Sequence, residues 1–142
     1  MRIYVAGING MVGSAIALEA KTQNHEVIGN SSKQLNFTNR IAVFQELIKI
    51  KPDCLVIAAA KVGGIGANST LPVDFLSNNL QIQTNLIDAA HAAEVERVLF
   101  LGSSCIYPKF VSQPIDESAL LTGELEPTNA PYAIAKIAGL KL

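Results

Sequence analysis

A chain of 142 residues, 49% hydrophobic and 16% charged, with a formal net charge of -1, suits one soluble globular domain with a sizeable core. Its charges form no basic block that would attract nucleic acid, and no apolar run reaches the ~20 residues needed to span a membrane. Two cysteines make no disulfide framework and the N-terminus enters a strand at once, so a reducing, cytoplasmic setting is expected.

The first element is the apolar run Arg2-Ile3-Tyr4-Val5-Ala6, which fits a buried parallel strand. Gly7-Ile8-Asn9-Gly10-Met11-Val12-Gly13 follows directly, with its glycines at every third position, and Ser14 to Ala20 reads as a helix. Strand, glycine turn and helix in this order predict a dinucleotide site at residues 7–13. The glycines allow a tight turn and close backbone approach, and the helix N-terminus faces the pyrophosphate.

Strands are predicted near 2–6, 26–29, 54–58 and 96–101, and helices near 11–22, 39–49, 73–93 and 131–142. In the second helix Ile41, Phe44, Leu47 and Ile48 form one apolar stripe. Cys54, within Asp53-Cys54-Leu55-Val56-Ile57-Ala58, reads as an inert core residue. Alternating strands and helices predict an α/β fold with a doubly wound, Rossmann-type parallel sheet and ligands at the carboxyl ends of its strands. The glycine turn, Ala58-Ala59-Ala60 and Gly102-Ser103 are expected to converge on one crevice there.

The second strand ends Val27-Ile28-Gly29-Asn30-Ser31-Ser32-Lys33, without the acidic residue that hydrogen-bonds a ribose and favours NAD. Hydroxyls and a lysine suit a 2′-phosphate, so NADP(H) is the expected cofactor, with Asn9, Ser31, Ser32 and Lys33 as contacts. Near the far end, Tyr132 and Lys136 lie on one face of a helix, downstream of Ser103-Ser104-Cys105. A lysine there is expected to draw the tyrosine pKa toward neutrality and prepare it for proton transfer with a sugar or alcohol oxygen. Helical periodicity in Ile134, Ile137, Ala138 and Leu142 persists to the last residue, and such domains have further strands. Residues 1–142 are therefore read as an incomplete dinucleotide-binding domain, truncated after the catalytic helix and without a substrate domain.

Three stretches point to a family: Ala58-Ala59-Ala60-Lys61-Val62-Gly63-Gly64-Ile65, Phe100-Leu101-Gly102-Ser103-Ser104-Cys105-Ile106-Tyr107-Pro108, and Glu126-Pro127-Thr128-Asn129-Ala130-Pro131-Tyr132-Ala133-Ile134-Ala135-Lys136. Through them, and almost throughout its length, the chain resembles the N-terminal part of the GDP-L-fucose synthases, a family of extended short-chain dehydrogenases/reductases. The resemblance implies 3,5-epimerisation of GDP-4-keto-6-deoxy-D-mannose and NADPH-dependent reduction at C4. Cys105 then matches the acid/base cysteine, Ser103 the serine that bonds the C4 oxygen, and Tyr132 the residue that protonates it. Lys136 matches the lysine on the nicotinamide ribose, and Asn79 an asparagine that helps hold a water near that lysine.

The resemblance also implies a homodimer pairing long helices, here near 73–93 and 131–142, and an acid/base histidine that neither His25 nor His91 matches. That histidine is expected beyond Leu142, with the domain that holds most of the GDP-sugar, so the chain alone is expected to bind cofactor weakly and not to turn over substrate. The family often carries arginines where this chain has Asn9, Asn30 and Ser32. Two alternatives stay open: another NAD(P)-dependent sugar-nucleotide epimerase or reductase, and a non-catalytic dinucleotide-binding module.

Overall fold

The structure is a computed structural model describing residues 1–142. It divides into two compact units, residues 1–60 with 81–101, and residues 61–80 with 102–142.

The first unit is built on a four-stranded parallel sheet. Its strands are β1 (Arg2–Ala6), β2 (Glu26–Asn30), β3 (Cys54–Ile57) and β4 (Arg97–Phe100), in the spatial order β2-β1-β3-β4. Register places Ile3 opposite Val27 and Cys54, and Cys54 opposite Arg97. Between β1 and β2 runs α1 (Met11–Thr22), between β2 and β3 runs α2 (Arg40–Ile50), and α4 (Pro72–Ala92) precedes β4. Alternate residues of the strands serve the two faces of the sheet. Tyr4, Ala6, Leu55 and Ile57 pack with Val43 and Leu47 of α2 and Leu86, Ala89 and Ala90 of α4. Ile3, Val5 and Val56 pack with Ala20 of α1 on the other face. Helices on both faces make this the doubly wound arrangement that the alternating pattern predicts.

α2 departs from its expected stripe. Leu47 is buried together with Val43, but Ile41 is 72% and Ile48 46% exposed, and Phe44 is half-buried. Ile41, Val43, Phe44, Leu47, Ile48 and Ile50 surround the helix, so apolar spacing alone offers two faces; the one carrying Val43 and Leu47 meets the sheet.

The glycine turn shows why residues 7–13 have their spacing. Gly7 has φ 86, a left-handed conformation costly for a side chain, and a Cβ there would stand 2.9 Å from the Ala59 nitrogen. At Gly13 a Cβ would come within 2.2 Å of the Gly7 carbonyl oxygen, which is backbone and cannot swing aside. Gly13→Ala is therefore expected to lower stability by about 1–3 kcal/mol, the cost of forcing atoms into a packed site. Chemical denaturation would check this, and an unchanged midpoint would mean that the turn relaxes freely.

The second unit holds α3 (Ile65–Thr70), the first part of α4, short 3-10 turns at Ser104–Ile106 and Glu117–Ala119, and α5 (Ala130–Lys141). α3 was not expected from the sequence. On it Asn68 is buried and donates its amide to the carbonyls of Gly63 and Gly64. Phe75, 1% exposed, lies against the Gly63 backbone, where a Cβ would meet its ring at 2.9 Å. α5 packs on the turn at 104–106. No helix of the structure is long and apolar enough to cross a membrane.

Candidate active site

Within the first unit the expected cofactor residues gather around the glycine turn. The Gly7 and Ile8 amides donate to the Asn30 carbonyl at 2.8 and 3.3 Å, which ties the turn to the end of β2. Gly7 also lies against the backbone of Ala58 and Ala59 beyond β3. α1 begins at Met11 with Gly10 as its N-cap; no side chain caps it, and its first turn carries no acidic residue. Asn9, Gly10, Met11 and Val12 are exposed. The first amides of a helix have no intrahelical partner and carry the positive end of its dipole. With neither a cap nor a carboxylate in competition, this end fits the diphosphate of a dinucleotide.

The tip after β2 is partly engaged with itself. The Tyr4 hydroxyl donates to Asn30 Oδ1 at 2.8 Å, and both the amide and the hydroxyl of Ser31 donate to Gln34 Oε1, at 2.9 and 2.8 Å. Burial pushes the Tyr4 phenol far above its ordinary value, so it stays neutral and keeps donating. Ser32 and Lys33 are exposed and open to an anion.

The second unit brings Ser103, Cys105 and Tyr132 together. Ser103 lies three residues past β4 and caps the short turn at 104–106, its Oγ accepting the Cys105 amide at 3.3 Å. The Ser103 hydroxyl also hydrogen-bonds the Tyr132 oxygen, and the Cys105 sulfur is close enough to act on that phenol. Tyr132 stands in the first turn of α5 after Pro131, whose fixed φ suits a helix start. One turn further on, Lys136 is buried, with its Nζ 5.8 Å from the centre of the Tyr132 ring.

The electrostatics correct one expectation. Tyr132 is not drawn toward neutrality: burial raises its pKa, Cys105 raises it further, and the Ser103 hydrogen bond only partly opposes them. Burial also lowers Lys136, because an ammonium loses its hydration there. The neutral, protonated tyrosine that results is a proton donor.

Asn79, 3% exposed on α4, bonds backbone on every side. Its amide donates to the carbonyls of Lys61 and Phe75 at 3.0 and 2.7 Å, and its Oδ1 accepts the Lys61 amide at 2.7 Å. It pins the start of the segment after Ala60.

Sequence reasoning passed over Asn129, which donates its side-chain amide to Cys105 Sγ at 3.2 Å. The available signal was its place before Pro131 at the start of a helix, and that reads as an ordinary cap.

The model of the NAD dependent epimerase/dehydratase family matches residues 3–142. The GDP-L-fucose synthase of Sinorhizobium fredii is 55% identical over 141 residues, which cover 99% of this chain and 45% of that protein. Among solved structures, DdhaC superposes with a TM-score of 0.95 at 44% identity, over 99% of this chain and 41% of its own. MlghC, a GDP-mannoheptose C4 reductase from Campylobacter jejuni with NADP bound, superposes at 0.92 with 30% identity, over 97% of this chain and 44% of its own. The chain thus spans less than half the length of these relatives. The chain is a member of the NAD dependent epimerase/dehydratase family.

Proposed function

We propose that the whole protein is an NADPH-dependent GDP-L-fucose synthase, acting on GDP-4-keto-6-deoxy-D-mannose. The observation that carries this reading is a thiol beside a Ser–Tyr pair: Cys105, Ser103 and Tyr132 meet in one place. A ketone at C4 makes the protons at C3 and C5 acidic, because the anion left behind is an enolate. Cys105 exchanges a proton with one of these carbons, with a second acid/base group on the opposite face, and so inverts the centre.

Reduction follows at C4. The Ser103 hydroxyl bonds the C4 oxygen as negative charge develops on it. Tyr132, held neutral by burial, gives that oxygen its proton. Lys136 holds the nicotinamide ribose, residues 7–13 hold the diphosphate, and Ala58, Ala59 and Ala60 border the dinucleotide. NADPH supplies the hydride when bound. The identity to the Sinorhizobium synthase supports the substrate, and the NADP-bound C4 reductase supports the cofactor and the carbon reduced.

The missing acid after β2 and the open Ser32 and Lys33 support NADP(H) over NAD. The whole protein is expected to bind NADPH about ten-fold or more tighter than NADH, since a hydrogen bond to a charged group contributes roughly 1.5–3 kcal/mol. Calorimetric titration with both nucleotides decides it, and equal affinities would reject the preference. A homodimer in the cytoplasm completes the reading, supported by exposed Val73 on α4 and Ile134 and Leu140 on α5.

The primary test supplies the whole protein with NADPH and GDP-4-keto-6-deoxy-D-mannose and follows NADPH absorbance. Oxidation with GDP-L-fucose as product is expected. No oxidation with this sugar would sink the reading.

A further inference from the structure

We infer that Tyr4 positions the Asn30 side-chain amide as a donor to the 2′-phosphate of NADP(H), so that a buried phenol on β1 takes part in cofactor selectivity. The role of these two residues rests on the cofactor proposed above, and neither is among the contacts that the sequence leads one to expect.

Asn30 is the last residue of β2, the place where an acidic side chain would bond the adenosine ribose. In the register of the sheet it stands opposite Ala6, and Tyr4 is its diagonal neighbour on the same face. Tyr4 is 0% exposed, and its hydroxyl has Asn30 as its one hydrogen-bond partner, at 2.8 Å. That single partner fixes which end of the amide faces the phenol. A hydroxyl that only accepted from Nδ2 would leave its own hydrogen buried and unpaired, which is costly. The O–H therefore donates and Oδ1 accepts, and both Nδ2 hydrogens are left for another partner. Nδ2 makes no hydrogen bond within the chain and is not sealed from solvent. Burial keeps the phenol protonated, so its part in the bond does not reverse.

The main chain of Asn30 is held as well, its carbonyl accepting the Gly7 and Ile8 amides. An amide fixed at backbone and side chain meets a ligand with little freedom left to lose. Its neighbours are less prepared. Ser31 commits its amide and its hydroxyl to Gln34 Oε1, while Asn9, Ser32 and Lys33 are exposed side chains with no bond to hold them. A carboxylate at position 30 would accept from the 2′-hydroxyl of NAD and repel a 2′-phosphate. The outward amide nitrogen reverses that preference, because a donor bonds an anion more strongly than a neutral hydroxyl.

The test is calorimetric titration of the whole protein and its variants with NADPH and NADH, without sugar. Tyr4→Phe keeps the buried ring and removes the hydroxyl. NADPH affinity is expected to fall about five-fold, the order of effect of releasing one immobilised side chain, with NADH affinity close to wild type. A loosened sheet would weaken both nucleotides alike, since both seat their diphosphate on residues 7–13, so the ratio separates positioning from damage. An unchanged ratio overturns the inference. In an Asn30→Ala background Tyr4→Phe must change the ratio no further, and a second fall there would overturn it as well. If Tyr4→Phe does not fold, Asn30→Asp decides. The Tyr4 hydroxyl can still donate to one carboxylate oxygen, the other takes the place of the amide nitrogen, and preference is expected to turn to NADH; a retained preference for NADPH is the overturning result. A wild-type preference for NADPH that Tyr4→Phe leaves intact sinks this inference alone. Equal wild-type affinities sink the cofactor reading with it, and the sugar assay is decided separately from both.

Discussion

Tyr132→Phe is expected to lower reduction of the keto sugar by the whole protein roughly 10²–10⁴-fold, the usual contribution of a positioned general acid. In the proposed reaction the phenol gives the C4 oxygen its proton as hydride arrives, and phenylalanine keeps its ring but has nothing to transfer. The Ser103 hydroxyl, already bonded to the Tyr132 oxygen, would still polarise the carbonyl, so a residual rate is expected. The loss belongs in kcat, with NADPH affinity close to wild type, because the glycine turn on β1 and α1 is untouched. A drop of less than ten-fold would show that another group protonates the oxygen. The pH profile carries a second check. A tyrosine raised above its ordinary value of 10.0 remains a proton donor through neutrality, so reduction should decline only beyond that range as pH rises. A limb near neutrality would mean that bound cofactor supplies the depression that Lys136, itself desolvated, does not.

The parts of this molecule that were legible in its sequence are those where local pattern and tertiary environment agree. β1, the glycine turn and α1 could be read because a buried strand, a left-handed Gly7 and a close-packed Gly13 each permit few residue types. The places of Ser103 and Cys105 just past β4, and of Tyr132 and Lys136 one turn apart on α5, were legible because spacing alone puts them after a strand and on one helix face. Other features depend on partners that the sequence does not name. α3 is six residues without an apolar stripe, Ile65-Gly66-Ala67-Asn68-Ser69-Thr70, and Asn68 ties it to the Gly63 and Gly64 carbonyls. α2 has apolar residues on more than one face, so the choice of Val43 and Leu47 over Ile41 and Ile48 is made by the sheet. The direction of the Tyr132 shift also escaped, because spacing brings a lysine near a phenol but says nothing of the desolvation that both then share.

Cys105→Ser separates the proposed synthase from a sugar-nucleotide 4-epimerase built on the same Ser–Tyr–Lys group. A 4-epimerase has no task for a thiol, and the substitution would leave it active. For the synthase, exchange of the C3 and C5 protons with solvent is expected to fall roughly 10²–10⁴-fold, since acid/base catalysis by that group is removed. Serine has nearly the shape of cysteine, and its backbone amide can still donate to Ser103 Oγ, so the turn at 104–106 is preserved. Its hydroxyl is a far weaker acid than a thiol. Reduction should be partly kept, because Ser103, Tyr132 and Lys136 remain; the starting ketone would then be reduced at C4 without inversion. Deuterium incorporation at C3 and C5, followed beside NADPH oxidation, resolves the two steps. Wild-type exchange in the serine variant would remove Cys105 from the chemistry and favour the 4-epimerase. Loss of exchange with retained oxidation would place the thiol at the epimerising step.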